Sequence, residues 1–146
     1  MSLKNQFKTD TALVTEGVWF DYKNSPNKDK TVPGFRLSRM NGKRYNAVMR
    51  KHTEPYTNKA TGEQDFSGLS DAEAESMTLD VFLDAVLVDW RNFQPEDDGV
   101  VLEFSKENAK LILGSEDWFD LYLDLQTKAR DVANFRQRAI EADAKN

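Results

Sequence analysis

Residues 70–113, SDAEAESMTLDVFLDAVLVDWRNFQPEDDGVVLEFSKENAKLIL, decide the fold. Ser70 and Glu73 form a capping-box pattern: the hydroxyl accepts the N–H three residues on, and the carboxylate accepts the N–H of Ser70. The helix so started is expected over residues 71–91. A turn of ~100° per residue gathers Leu79, Phe82, Leu83, Val86 and Trp90 on one side, which is core. Val81, Ala85 and Val88 fall on another side at i, i+4 and i+7, with Asp80 and Asp84 between the two apolar sectors. A helix apolar on two sides is either buried within a domain or keeps one side for a partner. Burial is the commoner outcome, and Val81, Ala85 and Val88 stand as candidate contact residues if it does not apply.

Downstream, Gln94-Pro95-Glu96-Asp97-Asp98-Gly99 is read as a turn, because a calcium loop needs alternating ligands and a terminal acid that this spacing lacks. Val100 to Phe104 form an extended run, and Ser105 caps a helix over residues 106–113 that Gly114 ends. Ser115, with Glu116 and Asp117 at the positive end, opens a last helix over residues 116–140. Trp118, Leu121, Tyr122, Leu125, Ala129, Val132 and Ala139 share its core side. Phe119 and Leu123 lie off that side, four residues apart, and are the second candidate contact surface.

Upstream, residues 1–10 are polar apart from Leu3 and Phe7 and are expected to fray. The run TALVTEGVWFDYKN reads as a strand, with Val18, Phe20 and Tyr22 at a period of two and Trp19 facing the other way. Phe35-Arg36-Leu37 alternates again before an Asn41-Gly42 turn, so the two runs make a hairpin with a long basic loop. Residues 43–52 read as a short amphipathic helix, with a third strand as the alternative. Residues 53–69 have no period and are expected to be a mobile loop. The residues from Arg136 on are polar, and residues 140–146 are expected to fray.

The chain has 146 residues, enough for one domain with its own core. It has no cysteine, which excludes disulfides and thiolate metal sites and suits a reducing compartment. No apolar run approaches a membrane span, and the N-terminus lacks the apolar core of a signal peptide. The net charge of -5 is unevenly spread: residues 21–51 hold nine Lys/Arg against two Asp, and residues 63–124 hold three against seventeen acids. The acidic bulk argues against nucleic acid as a partner. The two blocks either face each other or lie on solvated surface, or they act as poles for head-to-tail self-association.

Enzyme templates fail one by one. The single histidine, His52, stands beside Arg50 and Lys51 and reads as surface, outside any acid-flanked constellation. No nucleophile elbow, zinc-protease, P-loop or dinucleotide motif occurs. Asp80 and Asp84 read as the wet face of their helix. No catalytic residue, cofactor or metal site is expected; the work falls to surfaces.

The order of the pieces resembles the tail assembly chaperones of long-tailed bacteriophages. Gly17-Val18-Trp19-Phe20 is followed by Phe35-Arg36-Leu37 before Asn41-Gly42, then by a Leu/Val-rich helix closing on Asp89-Trp90. Asp98-Gly99, Phe104-Ser105, Asn108-Ala109-Lys110-Leu111 with Leu113, and a last helix containing Phe135 complete it, over residues 12–138. The resemblance implies a protein that binds and solubilises the long helical tape measure protein while tail tube subunits polymerise, then leaves before the virion is complete. It implies multimers, ring or spiral, and a programmed frameshift giving a longer product that recruits the tail tube protein. The location implied is the cytoplasm of the infected bacterial host. It transfers no individual binding residue. Ala144-Lys145-Asn146 is what GCA-AAA-AAC would encode, a string that contains a slippery heptamer.

The expectation is therefore one α+β domain, a small N-terminal antiparallel hairpin or sheet packed on a mainly helical C-terminal part. Its expected role is tail assembly chaperone, without cofactor and without nucleic-acid or membrane contact. The competing role is a structural virion protein, such as a tail-completion or head–tail joining protein.

Overall fold

A computed structural model describes residues 2–136. Two short helices, α1 (Leu3–Phe7) and α2 (Thr11–Glu16), lead into strand β1 (Val18–Asp21). A long loop returns as β2 (Gly34–Leu37), followed by helix α3 (Lys43–Thr53). Helix α4 (Asp71–Ala85) runs directly into β3 (Leu87–Arg91). Helices α5 (Lys106–Leu113) and α6 (Phe119–Arg130) follow, with 3₁₀ turns at Glu116–Trp118 and Val132–Phe135 on either side of α6. The class is α+β: a three-stranded antiparallel sheet in the order β1-β2-β3, with helices packed on it.

The expected helix over residues 71–91 is half helix and half strand. The capping box is present, with Glu73 N–H to Ser70 Oγ at 3.1 Å and Ser70 N–H to Glu73 Oε1 at 3.1 Å. Helix α4 nonetheless stops at Ala85, and the chain pairs with β2 through Leu87 opposite Leu37 and Trp90 opposite Phe35. The reason is local: Val86 and Val88 are β-branched and Trp90 is aromatic, side chains that fit a pleated surface better than a helix. Periodicity could not separate the two, because Val86 and Trp90 are core residues in either conformation. The third strand thus comes from this segment, and residues 43–52 form the expected helix.

The sheet's inner face carries Phe35, Leu37, Leu87 and Trp90, packed against Leu79, Val81, Phe82, Leu83 and Ala85 of α4 and Leu125 and Ala129 of α6. Aromatic rings meet edge to face along it: Phe35 with Tyr22, Trp90 and Phe93, and Trp90 with Phe104. The Trp90 indole donates to the Leu102 carbonyl at 2.8 Å, which fixes the extended run after the acidic turn.

Other expectations shift at the edges. Thr11–Glu16 is helix and not strand, because Asp10 caps it by accepting the N–H groups of Ala12 and Leu13. Residues 3–7, expected to fray, form α1, capped by Ser2. Residues 53–69 include a 3₁₀ turn at Glu54–Tyr56 and a bridge between Thr57 and Gln64. The last helix is shorter than expected: Asp131 ends α6, and Phe135 is buried from a separate 3₁₀ turn. The expected tail and the Lys145-Asn146 signal lie outside the described residues.

Candidate protein-contact groove

Of the five residues singled out for contact, Val81 and Ala85 are buried in the core. They hold α4 to the rest of the domain and present no surface, so the two-sided helix is explained by burial. Val88 is half-buried at an irregularity in the β2–β3 pairing, where Arg36 opposes Asp89 but Leu37 opposes Leu87. It is no longer on one helix face with Val81 and Ala85.

Phe119 and Leu123 behave otherwise. They are 51% and 41% exposed, and both line a groove of about 1060 Å³ between the first turns of α4, the end of α5 and the start of α6. Leu111, 70% exposed, stands on the opposite wall. The floor includes Leu79, Leu113 and Tyr122. Leu111 is not among the residues singled out from the sequence, where helix 106–113 is assigned no contact face. At helical spacing Leu113 is buried and Ala109 with it, which turns Leu111 outward.

Gly114 lets the groove form. A Cβ there would stand 2.6 Å from the Lys110 carbonyl oxygen and 3.4 Å from Leu79, so only glycine lets the chain leave α5 this closely. Ser115 then accepts the N–H of Asp117 at 3.3 Å and starts the turn that sets Phe119 at the rim. Taking a helix as a cylinder ~10–11 Å across with a pitch of ~5.4 Å, the groove has room for about two helical turns.

The carboxylates of α4 face α5. Lys110 Nζ donates to Asp80 at 2.8 Å, and Lys106 Nζ donates to Asp84 at 2.6 Å. His52 Nε2 lies 2.6 Å from the other oxygen of Asp84. His52 is therefore acid-paired, contrary to expectation, and one carboxylate joins α3, α4 and α5. Burial pushes the Asp84 carboxyl up, but hydrogen bonds from Lys106 and His52 outweigh it and leave it below the ordinary carboxylate range. Among the described residues no group of three or more His, Asp or Glu is placed to hold a metal ion, and no helix is long and apolar enough to cross a membrane.

The charge blocks meet sparingly. Lys28 reaches Asp97 at 3.3 Å on exposed surface, and Arg44 donates to the Ala85 carbonyl at 2.6 Å. Lys43, Arg50 and Lys51 of α3 are exposed, and none makes an ion pair with a described residue.

Residues 40–146 match the family described as YdaY prophage protein. The chain belongs to that family. The match begins just before α3 and takes in every wall of the groove, and it gives the chain a phage-derived origin. No curated protein and no solved structure matches the chain. Within this YdaY family chain, then, the exposed apolar groove is the feature from which a function has to be argued.

Proposed function

We propose that this protein is a phage tail assembly chaperone that holds the tape measure protein soluble while the tail tube assembles around it. The observation that carries the reading is the grouping of Leu111, Phe119 and Leu123, all exposed, around one groove whose volume would take about two helical turns. Scattered exposed apolar residues are ordinary, but three on one concavity are a binding surface. A long helical client with an apolar stripe would present the complementary ridge. Phage descent and the resemblance in motif order support the same role.

On this reading the protein is not an enzyme and uses neither cofactor nor ATP. It acts in the cytoplasm of the infected host and is missing from the mature virion. A longer product made by programmed frameshifting would recruit the tail tube protein, and a gene without a slippery heptamer removes that part. Co-expression with a tape measure fragment tests the main claim: the fragment should become soluble, and Phe119→Asp with Leu123→Asp should abolish the rescue. Presence of the protein in purified particles at fixed copy number would overturn the role in favour of a structural virion component.

A further inference from the structure

Helix α1 and the groove lie at different ends of α6. The groove takes Phe119 and Leu123 from its first turns, whereas α1 lies past its last, where Thr9 bridges to Arg136 and the Arg136 guanidinium stands 5.2 Å from the centre of the Phe7 ring. Leu3 and Phe7 are four residues apart, hence on one side of the helix, and are 75% and 54% exposed. Lys4 and Lys8 flank them, both exposed and neither in an ion pair with a described residue. The groove is the converse. Leu111, Phe119 and Leu123 give its lining an exposed apolar part, Glu75 and Glu116 in the same lining are exposed and make no ion pair with a described residue, and its one lysine, Lys110, is taken by Asp80.

We infer that α1 of one copy seats in the groove of a second copy of this chain. Leu3 and Phe7 meet Leu111, Phe119 and Leu123, and Lys4 and Lys8 face Glu75 and Glu116. The five helical residues of α1 make about one and a half turns, which fits within the groove. The basic face of α3 does not fit: its exposed side carries Lys43, Ala47, Arg50 and Lys51, with no large apolar side chain to fill the groove. Arm and groove are different surfaces, so the contact is heterologous, and copies join into closed rings or open chains. A client helix of the same character displaces α1, so a groove serves either a sister copy or the client. This inference rests on the groove as a helix-binding surface, the same premise as the proposed function.

Two variants of the full chain test it: Leu3→Asp with Phe7→Asp, which spoils the arm, and Phe119→Asp with Leu123→Asp, which spoils the groove. Light scattering behind size exclusion should show multimers for the natural chain, single chains for each variant, and a one-to-one pair when the two are mixed. Only an arm-to-groove contact recombines in this way. Lys4→Glu with Lys8→Glu should also dissociate the multimers, and adding Glu75→Lys with Glu116→Lys should restore them. A natural chain that stays single at high concentration overturns the inference, as do variants that keep its mass or a mixture that stays single. The arm variant should still solubilise the tape measure fragment. If it does while the natural chain proves single, the chaperone reading stands and the self-contact alone is lost; if the natural chain forms arm-to-groove multimers but gives no rescue, the reverse holds.

Discussion

Arg91 reaches across the central strand to Asp21, its Nη2 donating to both carboxylate oxygens at 3.0 Å in the space that Gly34 leaves open. Its guanidinium also lies 4.1 Å from the Trp19 ring centre, with that of Arg36 at 6.0 Å, so two arginines hold Trp19 on the outer face of the sheet. A Cβ at Gly34 would collide with Asp21 Oδ1. Gly34→Ala should therefore cost about 1–2 kcal/mol in urea unfolding, and less in an Asp21→Ala background. Equal cost in both backgrounds would show that the methyl meets something other than this ion pair.

Burial separates the contact candidates experimentally. Val81→Asp puts an unpaired charge in the core and should cost about 4 kcal/mol or more, enough to unfold a domain of this size. Phe119→Asp, at an exposed site, should shift stability by about 0.5 kcal/mol or less while removing client rescue. Thermal melts followed by circular dichroism read both.

Stability should fall in acid through two named carboxylates. Asp124 is held below the ordinary range by the Tyr22 hydroxyl and Lys128, and Asp84 by Lys106 and His52 against the opposing effect of burial. A carboxyl lowered in the folded state binds protons more readily when unfolded. Its contribution is complete above the ordinary carboxylate range and disappears as pH drops through the lowered folded value. Asp84→Asn and Asp124→Asn should each flatten the acid limb of a urea midpoint against pH curve. An unchanged limb would mean that other acids set it.

The Tyr122 hydroxyl is buried without a well-formed hydrogen bond among the described residues; burial pushes its phenol up, and the Gln126 side chain beside it offsets only part of that. Its ring packs edge to face on Phe82 at 5.1 Å. Tyr122→Phe keeps the ring and removes the orphan oxygen, so stability should hold or rise by up to about 1 kcal/mol. A clear loss in a urea titration would reveal a partner for that oxygen.

Caps and turns were legible in the chain. The Ser70–Glu73 box, the Ser105 cap and the Asn41-Gly42 turn each stand where their residues place them. What local pattern could not supply is which apolar residues are consumed by packing. Val81 and Phe119 look alike in a helical projection, yet Val81 is buried in the cluster that the sheet, α4 and α6 share, while Phe119 stays exposed. The pairing of His52 with Asp84 joins residues on separate helices, and no spacing rule reaches that far. Leu111 escapes for the same reason, since a helix of eight residues does not by itself say which of its apolar side chains packing uses.

The two rungs between α4 and α5, Asp80 to Lys110 and Asp84 to Lys106, run in opposite chain directions one helical turn apart. Sliding either helix along the other would break both at once. The gap beside Leu111 thus behaves as a gauge of set width, and a segment enters only where its own side chains match the jaws, whether it comes from a sister copy or from a client.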